Sequence, residues 1–345
     1  MRTDAFSYDL PPGVIAEPPA RRDRSRLLVL DRDSGRMSDR GIRDLPELLR
    51  PGDGVVLNDT KVFRARLAAT VDGKAVELLL IRPDGDAWIV LARPGRRLRP
   101  GCVVLVGALR GTVCAVVADG SYRIAFDRPP ERVIAYANRV GSIPTPPYIQ
   151  GSVHRIAEYQ TAYARHVGSV AAPTAGFHLT PRLLRALRAR GIHVVRVTLH
   201  VGIGTFQPIR AERLEAHTMH AEWVAITPRA AARIRAIQHA GGRVVAIGTT
   251  TLRALEGVAQ QQDAPLQPYT GLVRLFITPG FRFRIVDVLL TNFHLPRSTL
   301  LVLVSAFAAP GRRGYRGRDF VLRAYRAAIR KGYRFYSFGD AMLLR

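Results

Sequence analysis

Lysine is nearly missing from this chain of 345 residues: Lys61, Lys74 and Lys331 are the only ones among 52 basic residues, the rest being arginine. The preference for one cation over the other reflects genome composition and carries no functional weight. Cysteine is as scarce. Cys102 and Cys114 lack metal-ligand companions and sit in apolar, β-branched runs, so both are expected as core thiols of a cytosolic protein. Long apolar runs are absent too. The longest, "TLLVLVSAFAA" (299–309), falls well short of the roughly 20 residues of a membrane helix and reads as a buried strand. The start, "MRTDAFSYDLPPG", has no apolar stretch behind a basic head, so no secretory signal is read there. Acidic residues are few, 27 against 52 basic, which leaves a net charge of +25 and a pI near 11.3. A charge this large repels itself and favours a polyanionic partner. RNA or DNA leads; an anionic membrane surface comes second, without a basic amphipathic helix to support it.

What is present is a globular composition, 47% hydrophobic with mean hydropathy +0.02, and a length that suits two domains. "RLLVLD" (26–31) and "GVVLND" (54–59) read as strands around a short helix at "GIRDLPELLR". Over residues 65–147 the character changes. "VELLLI", "AWIVLA", "CVVLV", "GTVCAVV" and "YRIAF" are short β-rich runs, separated by turns such as "RPDGD" and "ADGS", and predict a small barrel or sandwich. "IPTPPYI" (143–149) reads as the link back to the main body.

After that link the alternation of strand and helix returns. Thr180-Pro181 and Thr227-Pro228 each offer an N-cap followed by proline at the first helical position. "IHVVRVTL", "RVVAI", "RIVDVLL", "TLLVLVSA" and "YRFYSF" read as strands, and "DFVLRAYRAAIRKG" as a helix. The expected fold is therefore an α/β main domain with a mixed sheet (residues 1–64 and 148–345) carrying a small inserted β-barrel domain (65–147).

Several segments could carry chemistry. "GSVAAPTAGFHLT" (168–180) and "HVGIGTF" (200–206) join small residues to His178 and His200, so that a planar ligand could approach the backbone closely. Glycine at 168 and 176 also permits unusual dihedrals. "GTTTLRALEG" turns from strand into helix with Thr249, Thr250 or Thr251 as N-cap, a place for ligand oxygens at the positive helix end. His217 and His220 stand at i, i+3, which fits one helical face; further zinc ligands are missing, so no metal is expected. "TNFHLPRSTL" adds Asn292 and His294, and "SFGDAMLL" adds Asp340. Neither a phosphate-binding glycine fingerprint nor a nucleophile elbow is found.

These segments, in this order, resemble the S-adenosylmethionine:tRNA ribosyltransferase-isomerase family of queuosine biosynthesis. The likeness runs nearly end to end, through "SYDLPPGVIAEPPARRDRSRLLVLDR", "GDGVVLNDTKVFRARL", "VELLL", "IPTPPYI", "YQTAYA", "GSVAAPTAGFHLT", "TLHVGIGTFQPI", "HTMHAEW", "GTTTLRALE", "LFITPGFRFRIVDVLLTNFHLPRSTLL" and "YRFYSFGDAMLL". The resemblance implies the fold reached above, and a reaction in which the ribosyl part of S-adenosylmethionine moves to 7-aminomethyl-7-deazaguanine at the wobble position of a tRNA with a GUN anticodon. Adenine and methionine leave, and epoxyqueuosine-tRNA results. S-adenosylmethionine is consumed, so no separate cofactor is implied, and a cytoplasmic monomer without a membrane partner is expected.

Such a reaction needs a base for the acidic C5′ proton, donors for the leaving adenine and a group that keeps the attacking amine neutral. Histidine suits these roles. His178, His200, His217, His220 and Asp340 are therefore the catalytic candidates. Thr174, Gly176, Phe177, Gly202, Gly204, Thr249, Thr250, Arg253, Glu256, Asn292 and His294 are the substrate-binding ones. Glu256, Asp340 or Phe177 would face the sulfonium. Arg96 and Arg97, in "RPGRRLRPG" (93–101), and the loop "RRGYRGR" (312–318) are the expected RNA contacts. The chain departs from the family in reading "GFHLT" for "GLHFT", Glu17 for the usual glutamine and "RAR" for "PAR" beyond "NDTKV". "QGSVHRIAEYQ" also lacks an acidic residue often found ahead of "YQT". Two rival readings are a non-catalytic RNA-binding protein on the same scaffold and an S-adenosylmethionine-dependent RNA methyltransferase. The second should show an acidic residue after the second strand of a Rossmann unit, and none can be placed.

Overall fold

The structure is a computed structural model, described for residues 1–17, 22–118, 120–145, 153, 155–202, 208–262 and 265–345. It begins with β1 (Arg26–Leu30), β2 (Met37–Gly41), α1 (Leu45–Leu48), β3 (Gly54–Asn58) and β4 (Thr60–Val62). Then come β5 (Arg66–Val71), β6 (Lys74–Asp84), β7 (Ala87–Arg93), β8 (Val103–Val106), β9 (Leu109–Val116), β10 (Tyr122–Phe126) and α2 (Pro130–Val140). The remainder is β11 (His166–Ser169), α3 (Pro181–Ala189), β12 (His193–His200), β13 (Glu222–Ile226), α4 (Pro228–His239), β14 (Val244–Ile247), α5 (Thr249–Gln262), β15 (Tyr269–Val273), β16 (Val288–Asn292), α6 (Thr299–Phe307), α7 (Arg316–Arg330) and β17 (Ala341–Leu344). The chain divides into two compact units. One comprises Met1–Asp59, Gln160–Arg165 and Pro173–Arg345; the other comprises Thr60–Tyr159 and His166–Ala172.

The second unit contains a closed antiparallel barrel in the order β10-β7-β6-β5-β8-β9, with β4 and β11 as a separate parallel pair. Alternation along β9 puts Leu109, Gly111 and Val113 inside and Arg110, Thr112 and Cys114 outside. Cys114 is thus exposed and Cys102 only half-buried, so neither is a core thiol. Its β-branched neighbours suggested burial, but in a half-buried strand position parity decides which side a residue faces.

The first unit is built on a nine-stranded mixed sheet in the order β15-β13-β12-β3-β14-β16-β17-β1-β2. The expected combination of α/β sheet and small barrel is what the chain forms. β12, β3, β14 and β16 run parallel, while β17 opposes β16 and pairs in parallel with β1. All five residues of β3 are buried, as befits a strand with both faces covered. Thr180 and Thr227 cap α3 and α4 as read, their hydroxyls accepting from Leu183 N and Ala230 N.

Two local expectations are corrected, and one helix was not foreseen. Residues 299–309 contain α6, a helix buried on every side and capped by Ser298, whose hydroxyl accepts from Leu301 N. A helix apolar all round shows no 3.6 period and cannot be told from a strand by pattern alone. "YRFYSF" is no strand: Tyr336 has φ +74, Phe335 makes only an isolated bridge to Ile15, and the last strand is Ala341–Leu344. Helix α2, which follows Pro129 and starts at Pro130, was hidden by its prolines, although proline is well placed in a first turn.

Candidate active site

The sheet directions place the site. The C-terminal ends of β12, β3, β14 and β16 lie on one edge, where α/β folds hold ligands. Because β17 and β1 run the other way, their N-terminal ends share it, with Asn292 paired to Ala341 and Ala341 to Leu27. β13 is antiparallel to β12, with His200 opposite Trp223, so Glu222 begins on the same edge. One rim therefore gathers Ser25, Asn58, Asp59, His200, Glu222, Gly248, Asn292 and Asp340.

At the middle of this rim is a chain of buried polar side chains. The Thr174 hydroxyl donates to Asn292 Oδ1 at 3.2 Å, Asn292 Nδ2 lies 3.2 Å from His178 Nε2, and His178 Nδ1 lies 3.0 Å from Ser25 Oγ. With the Asn292 oxygen taken by Thr174, its amide nitrogen faces Nε2, which must be the acceptor. The ring proton then sits on Nδ1 and points to Ser25. Burial, aided by the charges of Arg22 and Arg334, lowers the His178 pKa to about 4. His178 is thus a neutral imidazole of fixed tautomer at neutral pH. It stands in a 3-10 turn, Thr174–His178, that packs on β16.

Close packing, rather than an unusual dihedral, explains Gly176 in this turn. Its φ is not positive, but a Cβ there would collide with the Tyr163 hydroxyl and lie 2.9 Å from Thr161 Cγ2. Gly248 does need its backbone freedom, with φ +89 just ahead of α5. None of the three threonines takes that place: Thr249 is already helical, Thr250 follows it, and the Thr251 hydroxyl donates back to Ile247 O.

Other candidates are positioned as follows. His200 stacks on Trp223, with ring centroids 4.8 Å apart and planes 15° from parallel. Arg253 on α5 and Glu222 form a buried ion pair at 2.7 Å, and Glu222 Oε1 accepts from Gly202 N at 3.1 Å. Gly204 lies outside the described residues, as do several of those in the proline-rich link. Phe177 stacks on Phe338 and carries the Arg22 guanidinium 4.7 Å over its ring.

His217 and His220 follow a short 3-10 turn, Leu214–Ala216, in irregular chain, so their i, i+3 spacing is not a helical face. Half-buried His217 meets Phe276 edge-on, and burial followed by the neighbouring His220 lowers its pKa. Beside it is an open pocket of about 410 Å³ that Met1, Thr278 and Arg313 also line.

Two carboxylates read as facing a sulfonium are committed to backbone amides instead. Asp340 accepts from Arg26 N and Arg334 N, each at 2.8 Å, and so ties the start of β1 to the segment before β17. Glu256 accepts from the backbone N–H groups of Arg284, Ile285 and Val286 at 2.8–2.9 Å. His294 is likewise a linker. Its Nε2 meets the Thr291 hydroxyl at 3.0 Å, its N–H goes to Tyr325, its carbonyl accepts from Tyr8, and burial lowers its pKa to about 3. Among the described residues, no group of His, Cys, Asp and Glu is arranged to hold a metal ion, and no helix is long and apolar enough to cross a membrane.

Sequence reasoning missed Ser25, Asp59, Thr161, Tyr163, Thr198 and Glu222. Asp59 accepts from the Thr198 hydroxyl at 2.7 Å. Its signal was legible, being the first acid beyond the apolar run of β3. Thr161 and Tyr163 offered none, because "YQTAYA" has no period and reaches the rim only through the tertiary fold.

Comparison with known proteins places this arrangement. The sequence profile described as "Queuosine biosynthesis protein" matches residues 3–344. The S-adenosylmethionine:tRNA ribosyltransferase-isomerase of Moorella thermoacetica is 49% identical, and that of Symbiobacterium thermophilum 48%, each with full coverage of both chains. A crystal structure of the S-adenosylmethionine tRNA ribosyltransferase from Thermotoga maritima superposes with a TM-score of 0.57 at 37% identity, covering 99% of this chain and 100% of that one. The chain belongs to the queuosine biosynthesis protein family.

Proposed function

We propose that this protein transfers the ribosyl group of S-adenosylmethionine to tRNA and isomerises it, with release of adenine and methionine. The observation that carries the reading is that relatives bearing this activity in their names match over the whole chain at nearly half identity. The rim supports it chemically. It presents neutral histidine, amide and hydroxyl groups, which suit proton transfer and recognition of an uncharged nucleoside. We assign the acceptor as 7-aminomethyl-7-deazaguanine at the wobble position of a GUN anticodon, the product as epoxyqueuosine-tRNA, the working form as a monomer and the compartment as the cytoplasm. S-adenosylmethionine acts as a consumed donor, without a further cofactor. The segments around Thr174–His178, Gly202 and Thr249–Thr250 are its pocket in this reading.

The test is direct. Incubated with S-adenosylmethionine and precursor-bearing tRNA, the protein should release adenine and methionine in step with a mass gain on the RNA. Binding of tRNA with no adenine released would favour the rival, a non-catalytic RNA-binding protein.

Charge supplies the second test. At +25 the protein should bind tRNA with steep salt dependence, because phosphate contacts release counterions. Arg96 is exposed in the 3-10 turn Gly95–Arg97 near the start of the barrel's β7–β8 connection, while Arg97 donates to Ala75 O. Arg96→Glu with Arg97→Glu should weaken tRNA binding about tenfold and flatten the log–log salt slope by about two, with S-adenosylmethionine binding unchanged. An unaltered slope would remove this loop from the RNA interface.

A further inference from the structure

Three hydroxyl groups at the rim have no partner among the described residues. Thr161 Oγ1, Tyr163 Oη and Thr250 Oγ1 are buried without a hydrogen bond, in side chains at least nine-tenths shielded: Thr161 is 5%, Tyr163 8% and Thr250 6% exposed. Buried polar groups are almost always paired, and leaving one unpaired is costly, so three together need an explanation. They also converge. The Tyr163 hydroxyl and Thr161 Cγ2 both crowd the place where a Cβ on Gly176 would stand. A Cβ on Gly248 would lie 3.4 Å from the Ala175 Cβ and 3.6 Å from Thr250 Oγ1. Ala175 and Gly176 thus lie between the three side chains, and the absence of a Cβ at Gly176 is what lets the Tyr163 hydroxyl pack against the turn. Burial first, and the negative charge of Asp59 second, raise the Tyr163 pKa, so this phenol stays protonated and remains a donor.

The chemistry of the set selects its ligand. A carboxylate or phosphate would call for N–H groups or cations, and a purine edge for amides. A hydroxyl both donates and accepts, which is what another hydroxyl offers in return. We infer that Thr161, Tyr163 and Thr250, gathered around Gly176 and Gly248 at the ends of β3 and β14, seat a vicinal diol: the 2′- and 3′-hydroxyls of the donor's ribose. The assignment rests on the donor being S-adenosylmethionine. It makes Tyr163 a specificity-determining residue and explains why the rim keeps polar atoms that the free protein cannot satisfy.

Calorimetric titration of S-adenosylmethionine and its 2′-deoxy and 3′-deoxy analogues tests it, using the wild type, Tyr163→Phe and Thr250→Val. The wild type should bind at least one deoxy analogue about tenfold more weakly than the parent. Tyr163→Phe should bind the parent about tenfold more weakly and lose much of that discrimination. Both variants, freed of an unpaired hydroxyl, should melt at or above the wild-type temperature without ligand, an outcome a purely structural hydroxyl would not give. Wild-type affinity in both variants, or undiminished discrimination in both, overturns the diol seat and leaves the functional reading standing. A wild type that binds no S-adenosylmethionine overturns that reading and the seat with it.

Discussion

His178→Ala should lower adenine release by about 10²–10⁴-fold, the usual weight of a residue engaged in proton transfer, and leave tRNA affinity close to wild type. The geometry sharpens what that loss means. His178 is buried, neutral and held on both ring nitrogens, with Ser25 at Nδ1 and Asn292 at Nε2. To take a proton from the donor's C5′ it must exchange Asn292 for substrate at Nε2. With a pKa near 4 it would accept that proton only weakly. The alternative is a positioning role, in which His178 holds the amide of Asn292, and through it the Thr174–His178 turn, against the end of β16. His178→Gln separates the two, since glutamine can replace one hydrogen bond but cannot serve as a base of comparable strength. Activity recovered in His178→Gln relative to His178→Ala assigns positioning; equal loss in both assigns proton transfer. His200→Ala is the paired measurement, because His200 stands at the end of β12, stacked on Trp223. Near-normal adenine release in both alanine variants would assign the two histidines to packing.

The framework of this rim was legible where local chemistry is decisive. Thr180-Pro181 and Thr227-Pro228 announce α3 and α4, because an oxygen that accepts from the first turn and a ring that needs no N–H act within four residues. The barrel showed through its turns and β-branched runs. Helix α6 was not legible, because nine buried positions in succession erase the period that distinguishes helix from strand. The site divides in the same way. His178 and Asn292 stand out as residue types beside glycine and proline, yet their pairing spans 114 positions and that of His178 with Ser25 spans 153. The Thr174–His178 turn packing on β16 makes the first pair, and the reversal of β17 and β1 against β16 brings Ser25 to the same edge. Asp340 and Glu256 were ambiguous for a related reason: a carboxylate near a glycine reads the same whether it meets a ligand or, as here, two or three backbone amides.

Acid should destabilise the protein well above the range in which carboxylates usually titrate. His178 and His294 have folded-state pKa values of about 4 and about 3, against 6.5 unperturbed, and in both burial is the first cause. A neutral folded imidazole opposite a protonated unfolded one means that the unfolded state binds the extra proton. Stability from each histidine is therefore complete above pH 6.5 and is lost progressively as pH falls toward the folded-state value. Near pH 5 the loss is on the order of 2 kcal/mol per histidine, a large share of the roughly 5–15 kcal/mol that stabilises a typical domain. Glu256 and Asp287, whose pKa values burial raises, work in the opposite sense because they take up protons more readily when folded. The difference between wild type and variants is thus the informative quantity. Urea titrations at pH 7, 6 and 5 should show wild-type stability falling with decreasing pH. His294→Gln, which keeps a hydrogen-bonding group near Thr291 without a titrating ring, should fall less steeply by roughly 1 kcal/mol per pH unit. Parallel curves for wild type, His178→Gln and His294→Gln would show that neither ring is held neutral in the folded protein, and would reopen both histidines as ordinary bases at neutral pH.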